Sequence, residues 1–161
     1  MRWDEFAAAC PEIAALAESR FRNDQLVMIG TIRSDGSPRI SPCEVDFAAG
    51  VMALGMMWRS RKALDLLRDP RILVHSITCN REGTDGDVKL SGRASEVRDP
   101  ELRKAFRDAT YARTGWAPGE RSHYFSIDVE LAGYIVFGDA RRALSWDPRK
   151  GATELPFPDA D

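Results

Sequence analysis

The run from Gln25 to Trp58, QLVMIGTIRSDGSPRISPCEVDFAAGVMALGMMW, constrains this chain more than any other part of it. Three apolar stretches are separated only by SDGS and AAG. Asp35-Gly36 between such stretches is a strong hairpin signal. A two-residue turn joins only antiparallel strands, because a parallel partner needs a crossover of about a dozen residues or more. The spacing therefore predicts an antiparallel meander of three strands and excludes a parallel Rossmann arrangement for them.

The second of these strands alternates. Arg39, Ser41, Cys43, Val45 and Phe47 share one face, and Ile40, Pro42, Glu44 and Asp46 the other. Pro38 and Pro42 cannot donate to a ladder, so this strand is expected to have an irregular or edge portion. Upstream, residues 1–24 read as helical with a break, Pro11 opening the second piece. Downstream, RILVHSI, VKLSGRASEV, HYFSIDV, LAGYIVFG and RRALSWDP are further strand candidates, and Gly92 permits a bend or bulge in the second of them. RDPELRKAFRDATYAR is the best-marked helix, with Asp99 as cap, Pro100 at its first position and a stripe of Leu102, Ala105, Phe106 and Ala109. Seven or eight strands with hairpin connections and three or four helices imply a mainly β protein, an antiparallel sheet closed into a barrel with helices at its periphery. One domain over residues 1–147 is expected, with an irregular tail over 148–161.

The third strand runs straight into MMWRSRKALDLLRDP. Ser60 is placed as an N-cap, Ala63, Leu64 and Leu67 form an apolar stripe, and Asp69-Pro70 ends the helix. Arg59, Arg61 and Lys62 thus crowd a helix N-terminus, where each exposed cation is unfavourable by about 0.3–1 kcal/mol. An anion resolves the conflict. Free N–H groups, the Ser60 hydroxyl, the Arg61 fork and the Lys62 ammonium make a phosphate cradle without a glycine-rich loop. Arg39, on the neighbouring strand, is expected to reach the same phosphate. LGMMW supplies Gly55 and soft side chains beside it, suited to a flat ring. The alternatives from spacing alone are solvated cations and simple core packing.

Other chemistry is sparse. Net charge is −2 over 161 residues, so no global field favours nucleic acid or an anionic membrane. No apolar run approaches the roughly 18–20 residues of a membrane span. Asp4, Glu5, Pro11 and Glu12 interrupt any signal-peptide core, and a reduced cytoplasmic setting is expected. Cys10, Cys43 and Cys79 follow no metal spacing, and no metal site is expected. Each reads as a small buried hydrophobe. His75 is the one weak catalytic candidate, and a structural role suits it as well. With no proton-transfer set in view, a bound cofactor is the natural agent of any chemistry.

The order from Leu26 to Ile77, strand, DGSPR, strand, strand, SRKALDLLRDPRI, strand, resembles the pyridoxamine 5′-phosphate oxidase-like FMN-binding split-barrel superfamily, as VKLSGRA and the C-terminal strands also do. That resemblance implies an antiparallel Greek-key split β-barrel, FMN as cofactor, and a homodimer with flavin at the subunit interface. It implies Ser60, Arg61 and Lys62 at the phosphate with Arg39 reaching it, Ile40, Ser41 and Pro42 bordering the flavin, and Gly55 and Met56 touching ribityl or ring atoms. Asp87 is a further flavin contact by position, and Trp146 reaches the partner's cofactor. The C-terminal ARRALSWDP lacks the histidine of the motif that true pyridoxamine phosphate oxidases carry there. The likeness is therefore to the short, functionally unassigned branch. A flavin-dependent oxidoreductase acting on a small molecule is the first expectation. A deazaflavin-dependent reductase, a non-catalytic flavin or haem module, and a cofactor-free dimerisation unit are the alternatives.

Overall fold

A computed structural model describes residues 1–77 and 80–157. Two helices, α1 (Trp3–Ala9) and α2 (Pro11–Asp24), precede the strands β1 (Leu26–Ile32), β2 (Pro38–Ala48) and β3 (Val51–Met57). Helix α3 (Arg61–Arg68) leads to β4 (Arg71–Ser76) and β5 (Asp87–Glu96). Helix α4 (Pro100–Thr114) leads to β6 (Ser122–Val136), β7 (Arg142–Asp147) and β8 (Gly151–Leu155). The strands lie in the order β3-β2-β1-β4-β5-β6-β7-β8, and β6 pairs back onto β3. Six strands thus close a barrel, with β7 and β8 as a hairpin beyond it. Every pairing is antiparallel. The mainly β, split-barrel reading of the sequence holds.

The barrel interior holds Val27, Ile29, Val45, Leu54, Val74, Leu90 and Phe125. The helices α1 and α2 drive Trp3, Phe6, Ile13, Ala17 and Phe21 into the same cluster. The other face of β3 packs Val51 and Ala53 against Phe106 of α4. Asp99 caps α4 by accepting from the N–H groups of Glu101 and Leu102. At the far end of α4, Arg113 grips Asp46 of β2 through two bonds of 2.8 and 3.0 Å, and Thr110 donates to the same carboxylate at 2.6 Å. This latch fixes where the loop after α4 begins.

The two meander turns differ. Ala49-Gly50 is a two-residue turn with positive φ at both residues, 49° and 72°, the mirror-image geometry that matches strand twist. The first connection is longer, running from Arg33 to Ser37, with Asp35 accepting from the Ser37 N–H and hydroxyl. Only the second is the two-residue turn that the spacing predicts.

Strand β2 changes partners halfway. Residues Pro38–Glu44 pair with β1, and Glu44–Ala48 with β3. Pro38 and Pro42 therefore fall where the edge toward β3 is open, which is where a ladder tolerates them. The opened edge is the mouth of the candidate site.

Four sequence expectations need correction. HYFSIDV and LAGYIVFG are one strand, β6, because the ladder with β5 absorbs Glu130 as a bulge: Ser91 faces Leu131 and Gly92 faces Val129. A Cβ on Gly92 would meet the Asp128 carbonyl oxygen at 2.0 Å. Gly92→Ala is expected to cost about 1–3 kcal/mol, as overpacking does; an unchanged melting temperature would contradict that close approach. The tail expected to be irregular contains β8, whose Gly151–Leu155 pairs along β7; Gly151, at φ 76°, permits the reversal. The buried face of α3 is Ala63, Asp65 and Leu66, while Leu64 and Leu67 are exposed. The stripe is rotated because Asp65 has cationic partners that make its burial tolerable. Trp146 is a core residue, its ring 4.9 Å from that of Phe6. Its ring is turned into that core rather than toward the surface.

Candidate functional site

The site is built where β2 and β3 part. Strand β3 ends at Met57, and Arg59 turns the chain through a left-handed conformation with φ 52°. Ser60 then occupies the N-cap of α3 but makes no capping bond. Its hydroxyl oxygen is buried and has no hydrogen-bond partner among the described residues. Arg61 is exposed, and among the described residues no ion pair engages it. Lys62 reaches back across the opening and donates its ammonium to the carbonyl of Pro42 on the unpaired edge of β2. The backbone carbonyl that lost a strand partner is thus satisfied by a cation.

A groove of 390 Å³ opens beside this helix start. Pro42, Gly55, Met56 and Lys62 line it together with Glu44, Trp58, Trp116 and Arg121. Cys43 underlies it, buried, its thiol donating to the Gly55 carbonyl at 3.2 Å. Burial pushes that thiol up to about 11, so it is an inert packing group. Cys10 is likewise buried and raised by desolvation. Cys79 lies outside the described residues.

Arg39 is placed differently from the expectation. Its Nε donates to Asp65 Oδ2 at 2.6 Å, and Thr31 Oγ1 donates to the same oxygen at 3.0 Å. Arg68 adds a contact of 3.6 Å on the other carboxylate oxygen. Arg39 therefore ties β2 to the second turn of α3 rather than to its N-terminus. Alternation explains this: Arg39 shares its face with the buried Cys43 and Val45, while Ile40 points outward and is 73% exposed.

The groove leaves out several other expected positions. Ile40 and Ser41 lie further along β2, and Asp87 opens β5 opposite Ile135. His75 pairs with Met28 and contacts the Ser76 carbonyl through Nδ1 at 2.6 Å. Ser60 and Arg61, at the start of α3, are likewise outside the groove lining, which takes in their neighbours Trp58 and Lys62. The groove in turn contains residues that the sequence reading did not single out. Trp58 and Trp116 line it and are 53% and 55% exposed. Trp58 stacks on His123, with ring centroids 4.5 Å apart and planes 5° apart. His123 is buried, its Nδ1 2.7 Å from Glu96 Oε1. Burial of Glu96 opposes its ionisation, yet the bonds to His123 and Arg98 outweigh this and hold its carboxyl below the usual range. The signal for these residues was faint: a tryptophan just after a strand, and another in a loop.

The description "Pyridoxamine 5'-phosphate oxidase" belongs to a family model that matches residues 13–134. The chain belongs to this family. Solved structures with the same fold include a pyridoxamine 5′-phosphate oxidase-related, FMN-binding protein from Nostoc punctiforme. It is 14% identical, with a TM-score of 0.69, over 93% of this chain and 98% of that one. Campylobacter jejuni ChuZ is 11% identical, with a TM-score of 0.76, over 94% of this chain and 66% of that one. A haem-binding protein from Mycobacterium smegmatis is 18% identical, with a TM-score of 0.60, over 80% of this chain; the match spans only 57% of that protein. At such identities the likeness concerns the fold. No curated protein matches the sequence. Among the described residues, no helix of this family member is long and apolar enough to cross a membrane.

Proposed function

We propose that this chain is an FMN-binding oxidoreductase that acts on a small molecule. One observation carries the reading: the uncapped start of α3, with the unpartnered Ser60 hydroxyl, Arg61 and Lys62, stands beside an apolar groove. A helix N-terminus with two cations and an idle hydroxyl suits a phosphate. Ser60, Arg61 and Lys62 would hold that group, and Pro42, Gly55 and Met56 would border the ring. Bound flavin would supply the hydride- and electron-accepting chemistry that the side chains lack. The chain's own part is to bind, orient and shield. Lys62 would bridge the open edge of β2 to the anion, Arg39 holds α3 against β2 through Asp65, and the apolar groove wall would cover one face of the ring. Family membership supports the reading, as does an FMN-binding protein among the structural neighbours.

The reading includes a homodimer. Gly30 of β1 faces Ile40 on one side and Leu73 on the other. Both neighbours are exposed, and Leu26 extends the apolar patch. A second copy covering this patch would bring its own surface close to the groove. The free thiols Cys10 and Cys43 suit a reducing, cytoplasmic setting.

The test is the absorbance spectrum of the purified protein, followed by FMN titration of any colourless fraction. Two visible bands of oxidised flavin are expected. A Soret band would replace FMN by haem, and a single band at shorter wavelength would replace it by a deazaflavin. A colourless protein that takes up none of these would overturn the reading.

A further inference from the structure

We propose that a cavity beside the first half of α4 is a second anion site, apart from the start of α3, and that it takes a short chain of phosphates, free or carried by a nucleotide. The proposal does not rest on the flavin reading.

The cavity has a volume of 480 Å³ and is walled by the first turns of α4 and by residues 119–122, which lead into β6. Four cations line it, Arg98, Arg103, Lys104 and Arg107, against two carboxylates, Glu101 and Glu120. Two of the cations have acidic partners: Arg98 meets Glu96 at 3.3 Å, and Lys104 meets Asp108 at 2.6 Å. The other two differ. Arg103 donates from Nη1 to the Val97 carbonyl at 3.1 Å, and from Nη2 to the carbonyls of Ser122 at 2.9 Å and Glu120 at 3.4 Å. Those acceptors are neutral, so they fix the guanidinium without cancelling its charge. Arg107 is exposed, and among the described residues no ion pair engages it.

Arg103 and Arg107 stand one turn apart on α4, where like charges repel on a bare helix. An anion between them turns that repulsion into attraction. The helix terminus itself is not the attractor, because the Asp99 carboxylate already accepts from the N–H groups of Glu101 and Leu102. Arg103 is also fixed in advance. Its guanidinium carbon lies 5.4 Å from the centre of the Tyr124 ring, and three carbonyls hold it, so an arriving ligand orders little. The three bonds use three of its five N–H groups, which leaves two for phosphate oxygens.

The wall selects the ligand. Apart from Pro100, Gly119 and Tyr124, whose ring Arg103 covers, every lining residue is polar or charged. No flat apolar platform is offered to a flavin or another ring. Four residues of helix separate the two arginines by about 6 Å along its axis, a span that a chain of two or three phosphates bridges and a single small anion does not. Glu101 and Glu120 are exposed and can turn their charge to water, whereas Arg103 is held.

The test uses the full-length chain carrying Arg61→Ala and Lys62→Ala, so that the cations of α3 are absent. Sodium tripolyphosphate, ATP and sulfate are titrated into it by calorimetry at constant ionic strength, without divalent cations. Tripolyphosphate is expected to bind saturably, one per chain, and sulfate at least about ten-fold more weakly. Adding Arg107→Ala should lower the tripolyphosphate affinity about ten-fold or more and leave the melting temperature unchanged. Backbone amide signals of Arg107 and Gly119 should shift on binding, while those of Met56 and Trp58 in the groove stay. Tighter binding of ATP than of tripolyphosphate assigns the site to a nucleotide; equal or weaker binding assigns it to the free chain. Absence of saturable binding, sulfate binding as tight as tripolyphosphate, unchanged affinity with Arg107→Ala, or shifts confined to the groove would each overturn the proposal.

Discussion

Replacing Arg61 and Lys62 together with alanine is expected to weaken FMN binding about a hundred-fold or more while leaving the fold intact. A hydrogen bond to a charged group is worth about 1.5–3 kcal/mol. Losing two such contacts to a phosphate therefore corresponds to at least two decades in affinity. Stability should scarcely change, for a reason of sign. Lys62 gives up one charge-assisted bond, to the Pro42 carbonyl, at an exposed site where it is worth the low end of the charged range, about 1.5 kcal/mol. Against this, two cations leave a helix N-terminus, which returns about 0.3–1 kcal/mol each. The terms cancel within error, so the melting temperature should move by no more than about 4 °C. FMN titration followed by flavin fluorescence reads the first effect and calorimetry the second. An unchanged affinity would place the phosphate somewhere other than at α3.

Asp65→Ala should do the opposite: a large loss of stability and an indirect loss of binding. The Asp65 side chain is 6% exposed and engages Arg39 at 2.6 Å. Removing one member of a buried pair costs about 3–5 kcal/mol, because the other charge is left without compensation. For a chain of this size that corresponds to a fall of about 6–20 °C in melting temperature. The double variant with Arg39→Ala should recover much of the loss, since the stranded guanidinium is then gone. A single variant that melts within about 2 °C of the parent would show that the pair does not hold α3 to β2.

These two residues mark where reading the sequence stops. The charge conflict at Arg59, Arg61 and Lys62 was legible because helix dipole and cation lie within a few residues of each other. Arg39 was legible as a cation on the right strand, but its partner was not. Asp65 is 26 residues away and sat among leucines that spacing alone assigned to the buried stripe. Only when Thr31, Arg39 and Arg68 converge on it does a buried aspartate make sense. The groove shows the same limit. Pro42, Gly55, Met56 and Lys62 meet there, as neighbouring strands in a meander can be expected to arrange. Trp116 and Arg121 arrive from a loop after α4, and no local pattern announces that arrival.

Chain order alone determined the antiparallel meander, the Asp99 cap, the bulge-permitting Gly92 and the cationic helix start. Each depends on residues a few positions apart: a turn, a cap, an alternation, a dipole. Tertiary structure alone decided that β6 is one bulged strand, that the tail adds β8, that Trp146 is core, and that Arg39 pairs with Asp65. Those outcomes depend on pairings between segments far apart in sequence. Their energies come from burial and from compensated charge, which exist only once the barrel has closed.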